Sequence, residues 1–313
     1  MLPPVKRYPN PEDGGGHAAV PGAGAANGPE PGPPGAAAEL PSVREHTWRR
    51  LDTGFAGGAR NMAVDEAILQ QHAAGAVPPT LRFYGWQPPA VSIGYFQSMA
   101  GEVDRDACRR LGIGWVRRPT GGWAILHHME LTYSVVVREE LLPGGVLETY
   151  RALAQGLLTG LRSLGAPAEL SALPAAHPAE MNTSACFEHP SQYELVVGGR
   201  KLVGSAQTRK QGTILQHGAI LLDIDYDLTF AVLRLSPEER TRQAALLRRR
   251  AVGLQEALGR RVTWEEARDA VAAGFAQALG LRLQTSELIA PELAGVQVLE
   301  REKYGNPEWN ERK

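Results

Sequence analysis

Residues 193–207, YELVVGGRKLVGSAQ, constrain the fold more tightly than any other stretch. Two β-rich runs are joined by only two glycines, and a connection that short cannot cross over a sheet. The runs must therefore be antiparallel neighbours, with glycine supplying the positive φ of a tight hairpin turn. Along the returning run Lys201, Val203, Ser205 and Gln207 are predicted on one face. Further strand patterns flank the hairpin: TLRFYGW and AVSIGYF, separated by QPP, then GWVRRPTGGWAILHHMELTYSVVV with a glycine loop inside it, and GTILQHGAILLDID after it.

Helical spacing appears between and after these runs. NMAVDEAILQQHAAG reads as a helix capped by Asn61, with Met62, Ala63, Ala67 and Leu69 among its apolar positions. EVDRDACRRLG places Val103, Ala107 and Leu111 on one face. LETYRALAQGLLTGLRSLG is a long helix ending at Gly165. Ser236–Glu239 (SPEE) and Thr263–Glu266 (TWEE) are capping boxes, the first with proline at N1. After the second, Trp264, Ala267, Val271, Phe275 and Leu279 form a core stripe that stops at Gly280. Strands precede helices in unequal runs, with hairpins among the strands. This predicts an α+β fold with a mixed, largely antiparallel sheet flanked by helices.

Residues 1–42 differ from the rest, being dominated by Gly, Pro and Ala with almost nothing large to bury. They are expected to be a disordered tail, leaving 43–313 as one folded domain. A net charge of −1 argues against a broad nucleic-acid or anionic-membrane surface, and no apolar run is long enough to span a bilayer. The start of the chain lacks the apolar segment of a signal peptide, so a cytoplasmic location is expected. Two cysteines, Cys108 and Cys186, make neither a disulfide framework nor a four-ligand metal site.

Three groups of residues invite chemistry. In RRPTGGWAILHH, residues 117–128, two glycines allow close backbone approach to a ligand, although a plain turn and a solvated Arg117–Arg118 edge fit equally well. The spacing is neither a phosphate-binding glycine loop nor a dinucleotide fingerprint. His127 and His128, with His189 or His217, suggest a metal. However, neighbours on a strand point to opposite faces and no zinc spacing is present, so no metal is expected.

Cys186 lies in a Pro- and Ala-rich loop among polar residues, not on a periodic apolar face. Free cysteines commonly pack as small hydrophobes. A thiol beside an ammonium, by contrast, is a nucleophile, and Lys201 opens the strand that follows. The same lysine can donate a hydrogen bond to a thioester carbonyl and to the oxyanion formed on attack. Cys108, on an amphipathic helix, reads as structural.

NMAVDEAIL, LRFYGWQPPAVSIGYFQ, RRPTGGWAILHHMELTYSV, ACFEHPSQYELVVGGRKLVGSAQTRKQGTILQHGAIL and the terminal KYGNPEWNER together resemble the biotin/lipoate protein ligase superfamily, and within it the LipM-type octanoyltransferases. The resemblance spans nearly everything after the tail, in order. It implies transfer of octanoyl from octanoyl-acyl carrier protein to the lysine of a lipoyl-domain protein such as the glycine cleavage H protein, with no cofactor, ATP or metal. It implies Cys186 as the acyl-accepting nucleophile and Lys201 as the contact to the acyl carbonyl. It also implies an acyl pocket lined by Arg118, Thr120, Gly121, Gly122 and His127. Trp123 stands where this family usually has arginine. The alternatives left are an ATP-dependent lipoate–protein ligase, an octanoyl amidotransferase between lipoyl domains, and a non-catalytic lipoyl-domain binder.

Overall fold

The computed structural model describes residues 46–171 and 194–312. The tail at 1–42 and the loop that carries Cys186 and His189 lie outside the described residues. In chain order the first elements are β1 (Thr47–Ala56), α1 (Gly58–Ala73), β2 (Thr80–Trp86), β3 (Ala90–Ile93), α2 (Met99–Glu102), α3 (Arg105–Leu111), β4 (Gly114–Arg117), β5 (Ile125–His127) and β6 (Glu130–Arg138). Then follow α4 (Val146–Ser163), β7 (Ala168–Ser171), β8 (Glu194–Val197), β9 (Arg200–Lys210), β10 (Thr213–Leu221), α5 (Tyr226–Ala231) and α6 (Pro237–Arg250). The chain closes with α7 (Leu254–Leu258), α8 (Trp264–Leu279), β11 (Arg282–Thr285), α9 (Ala290–Leu299), a π-helical turn at Glu300–Tyr304 and α10 (Pro307–Glu311).

The architecture is the expected α+β one. A large sheet runs in the order β11-β1-β2-β6-β10-β9-β8-β7, and a small sheet in the order β4-β3-β5. In the large sheet β1 is parallel to β2 and β11, while every pair from β2 to β7 is antiparallel. The central strands β2 and β10 are buried at every position, and β6 at all but the last, because helices cover both faces. The 193–207 hairpin forms as β8 and β9, with Gly198 (φ 55°) and Gly199 (φ 71°) as its turn.

One face of the sheet carries α4 and α8, which cross at glycines. A methyl added to Gly274 would overlap the Gly160 nitrogen and the Gly156 carbonyl oxygen, so this contact is backbone on backbone. The expected stripe of α8 is buried at Trp264, Ala267, Val271 and Phe275, and Gly280 ends the helix in the left-handed conformation. The other face carries α1 and α9, where Met62, Ala63, Ala67 and Leu69 join the core with Val296 and Tyr304.

Two helix expectations need correction. Gly57, not Asn61, caps α1. Asn61 is buried inside the helix, its amide donating to the carbonyls of Ala56 and Gly85 at 3.0 and 2.9 Å. The predicted helix at 102–112 is broken instead into α2 and α3. Asp104 accepts from the Ala107 nitrogen and so starts α3, while Val103 turns away to bridge Leu233. An aspartate that can cap competes with helix continuity, and here the cap prevails.

Candidate active site

The α1 face of the sheet holds an apolar cavity of about 60 Å³, walled by Met62, Trp86, Ile125, Gly204, Ala206 and Ala219 among others. Strand alternation puts polar groups at its rim. On β6, Thr132 and Ser134 face α1, while Tyr133 faces α8 and meets Phe275. The register then lines up Arg82, Ser134 and His217 as one row across β2, β6 and β10.

Asp65 of α1 sits over this row. It accepts from Arg82 (2.6 Å), Ser134 (2.7 Å), Tyr84 (3.0 Å) and His217 Nδ1 (3.2 Å). Burial alone would raise the Asp65 carboxyl, but the Arg82 guanidinium and the His217 contact outweigh it and hold the group below the usual carboxylate range. Burial pushes the His217 imidazole down despite Asp65, so the ring stays neutral. With Nδ1–H given to Asp65, Nε2 accepts from the Thr120 hydroxyl at 2.8 Å.

A second network crosses the small sheet. The His127 ring stacks on Trp86 at 3.8 Å and 9°. Nδ1 donates to Glu130 at 2.7 Å and Nε2 accepts from Ser92 Oγ at 2.7 Å. Ser92 Oγ in turn accepts from Arg118 at 3.0 Å. Arg118 also reaches the carbonyls of Gly121 and Trp123, each at 2.8 Å, and so fixes the curve of the glycine loop from inside. Gly122 holds φ 93°, and its carbonyl oxygen fills the space where Gly94 would carry a Cβ. The loop thus packs backbone against backbone, which neither a plain turn nor a solvated edge requires.

Arg117 and Arg118 are both buried. Arg117 donates to the carbonyls of Gly94, Tyr95 and Gln97 on one side and of Trp309, Asn310 and Arg312 on the other. This clamps the KYGNPEWNER segment to the end of β4 and to the turn at Gly94–Gln97.

Lys201 departs from the expected alternation. Leu195 pairs with Val203 but Val196 pairs with Lys201, so β9 holds one extra residue, Leu202, opposite β8. This β-bulge puts Lys201 on the face of Val196 and Glu194, opposite to that of Val203 and Ser205. Ser205 and Gln207 instead face α4, bonding Tyr133 and Thr149. Continuing the Leu195–Val203 register by one residue sets Glu194 on the side of Gly204, which lines the cavity. Lys201 is therefore turned to the cavity side, where its Nζ donates to Glu194 at 2.6 Å with both side chains buried.

Arg118, Gly122 and His127 thus line the cavity, Thr120 and Gly121 are tied to it through His217 and Arg118, and Lys201 lies outside its lining on the same side of the large sheet as Gly204. Cys186 lies outside the described residues. His127 lines this cavity while His128 lines a recess on the other side of β5, in keeping with the expected opposition. Cys108 is fully buried, and burial together with Asp104 pushes its thiol up to about 12. Sequence reasoning missed Asp65, Trp86, Ser92, Glu130 and Glu194 as parts of the site. Their signal was a polar residue, or a tryptophan, set in an otherwise apolar buried run.

Residues 58–276 match the model of the lipoyl protein ligase A/B catalytic domain. An octanoyltransferase LipM from Symbiobacterium thermophilum is 60% identical over 276 residues, which cover 86% of this chain and 100% of that protein. This chain belongs to the LipM-type octanoyltransferase family. A Bacillus subtilis octanoyltransferase LipM is 45% identical over 277 residues, covering 86% of this chain and 99% of that protein. Among solved structures, a bipartite lipoate protein ligase from Thermoplasma acidophilum, studied with its E2 lipoyl domain, superposes with a TM-score of 0.72. It is 28% identical, covering 85% of this chain and 96% of that one. A lipoate-protein ligase A bound with ATP gives 0.68 at 28% identity, covering 85% and 98%. Arg118 is held by the backbone carbonyl of Trp123, a contact indifferent to the side chain at that position. No helix among the described residues is long and apolar enough to cross a membrane.

Proposed function

We propose that this enzyme transfers octanoyl from the phosphopantetheine thioester of acyl carrier protein to the ε-amine of a lipoyl-domain lysine, through a thioester on Cys186. The observation that carries the reading is Lys201, a buried ammonium turned by a bulge toward an apolar cavity and anchored by Glu194. A pairing of that kind is costly to bury and has little use in packing alone. Beside an acyl pocket it supplies a fixed donor for a carbonyl oxygen.

In the first half-reaction the Cys186 thiolate attacks the octanoyl carbonyl while Lys201 donates to the oxygen as it gains charge. The carbon–sulfur bond to pantetheine breaks, and the departing thiolate takes up the proton that Cys186 gave. In the second, the acceptor amine attacks the Cys186 thioester, the nitrogen–carbon bond forms, the ammonium proton is lost and the cysteine thiolate is restored. Exchange of one thioester for another followed by amide formation needs no ATP, metal or other cofactor. The cavity is suited to the octanoyl chain, with each buried methylene contributing about 0.8 kcal/mol. The acceptor we favour is the glycine cleavage H protein, with the reaction in the cytoplasm.

Intact-mass measurement after incubation with octanoyl-acyl carrier protein, without ATP, tests this. An octanoyl adduct that vanishes in Cys186→Ser and persists in Cys108→Ser is expected. Modification of the H protein only with octanoate and ATP would favour a ligase, and donation only from octanoyl-H protein would favour an amidotransferase.

A further inference from the structure

Two neighbouring rows of residues cross the α1 face of the large sheet. Ala206, His217, Ser134 and Arg82 form the row under Asp65. The next row is Gly204 on β9, Ala219 on β10, Thr132 on β6 and Tyr84 on β2. Side-chain size rises along this second row, from none at Gly204 to a methyl at Ala219, then threonine and tyrosine. All four line the acyl cavity, which is therefore a slot that crosses the strands, open at β9 and closed at β2. Its closed end is pinned. Thr132 Oγ1 accepts from Trp86 Nε1 at 2.8 Å and donates to Glu130 at 2.6 Å, and the Tyr84 hydroxyl donates to Asp65 at 3.0 Å. Its floor cannot sink. A methyl on Gly218, which faces the opposite side, would come within 2.6 Å of the Gly204 carbonyl oxygen and 2.7 Å of the Tyr133 ring, so the sheet is already tight beneath Ala219.

We propose that Ala219 sets the length of acyl group the enzyme accepts, the chain lying across the strands along this row with its carbonyl at Gly204 and its last carbons against Thr132. This rests on the transferase reading above. Two strand spacings, about 9.5 Å, separate Gly204 from Thr132. Three backbone bonds of an extended chain span about 3.5 Å, so the seven carbon–carbon bonds of octanoyl span about 8 Å. At the Gly204 end the slot meets β9, the strand that carries Lys201 on the same side of the sheet. At about 60 Å³ the cavity takes only the outer carbons of the chain, so carbons added at position 219 displace them.

The test measures acylation by intact mass with butanoyl-, hexanoyl-, octanoyl- and decanoyl-acyl carrier protein. On the unsubstituted chain octanoyl should exceed hexanoyl about fifteenfold, at roughly fourfold per buried methylene, and decanoyl should fall below octanoyl. Ala219→Leu puts three more carbons into the slot and should lower the ratio of octanoyl to butanoyl transfer by about tenfold or more. A role confined to packing would lower both rates together and leave the ratio alone. An unchanged ratio therefore overturns the assignment, as does decanoyl transferred as fast as octanoyl by the unsubstituted chain. Ala219→Val, which adds two carbons, is the milder second variant; it should shift the ratio in the same direction by a smaller factor, and no shift counts against the assignment. If no donor acylates the unsubstituted chain, the transferase reading itself fails and takes this assignment with it, whereas acylation with a flat ratio strikes the assignment alone.

Discussion

Replacing Glu194 by glutamine probes the arrangement at Lys201 with almost no change of shape. Lys201 is 5% exposed, Glu194 3%, and their charged atoms stand 2.6 Å apart. At an effective dielectric constant of 20 this separation corresponds to a Coulomb attraction of about 6 kcal/mol. Much of that only offsets the desolvation of two charges. Removing one partner of a buried pair therefore costs about 3–5 kcal/mol, because the other charge stays behind. Glutamine keeps an acceptor oxygen, and Lys201 has further contacts of its own. The expected loss is thus at the lower end, about 3 kcal/mol in the free energy of unfolding, measured by denaturant titration.

The acylation rate, followed by intact mass, separates this structural cost from the chemistry. Loss of a donor to a developing oxyanion costs about 10²–10³ in rate. Lys201→Met is expected in that range, and Glu194→Gln between it and the unsubstituted enzyme. The double variant leaves no lone charge, so it should recover part of the stability and none of the acylation. Glu194→Gln with unchanged stability and rate would refute the coupling of the pair. A double variant that acylates like the unsubstituted enzyme would refute the role of Lys201.

Three further outcomes follow from burial and packing. Gly274→Ala forces α4 and α8 apart at a backbone contact, and a loss of about 2–3 kcal/mol is expected on denaturant unfolding. Because burial raises the Cys108 thiol to about 12, it carries almost no thiolate at pH 8, and iodoacetamide should place one label on the native chain and a second only after unfolding. Burial lowers the His217 imidazole, so the unfolded chain binds a proton below about pH 6.5 that the folded chain does not. Stability should therefore fall as pH drops from about 7 toward 5.5, with a slope of at most about 1.4 kcal/mol per pH unit that His217→Gln removes. Asp65, held below its ordinary value, loses its contribution only at more acidic pH and leaves that window undisturbed.

What the residues revealed on their own was whatever depends on near neighbours. The two-glycine hairpin, the capping box at Ser236 and the Trp264–Phe275 stripe are each set within one helix or one pair of adjoining strands, and all three are present. Asn61 misled because its use is not local. Its amide ties α1 to Ala56 and to β2, so it is needed inside the helix and not at its tip. The polar row of Arg82, Ser134 and His217 comes from three strands, and no single strand discloses that Asp65 will sit over all of them. Such a row exists only once register is fixed, and register depends on the whole sheet.

Lys201 shows how far this reaches. A period of two assigns it to the face of Ser205 and Gln207, against α4, where an ammonium would have no acyl group to meet. One unpaired residue, Leu202, reverses that assignment. The lysine type and the hairpin are readable along the chain, but the direction of the side chain is a property of two strands that disagree by one residue. Bulges recur where a strand must re-aim a single group without changing its neighbours. Here Ser205 and Gln207 stay on the α4 side while Lys201, which a period of two would put with them, turns to the side of Gly204 and Ala206. A charged residue whose strand alternation would bury it against an apolar layer is thus a reason to look for a bulge in front of it.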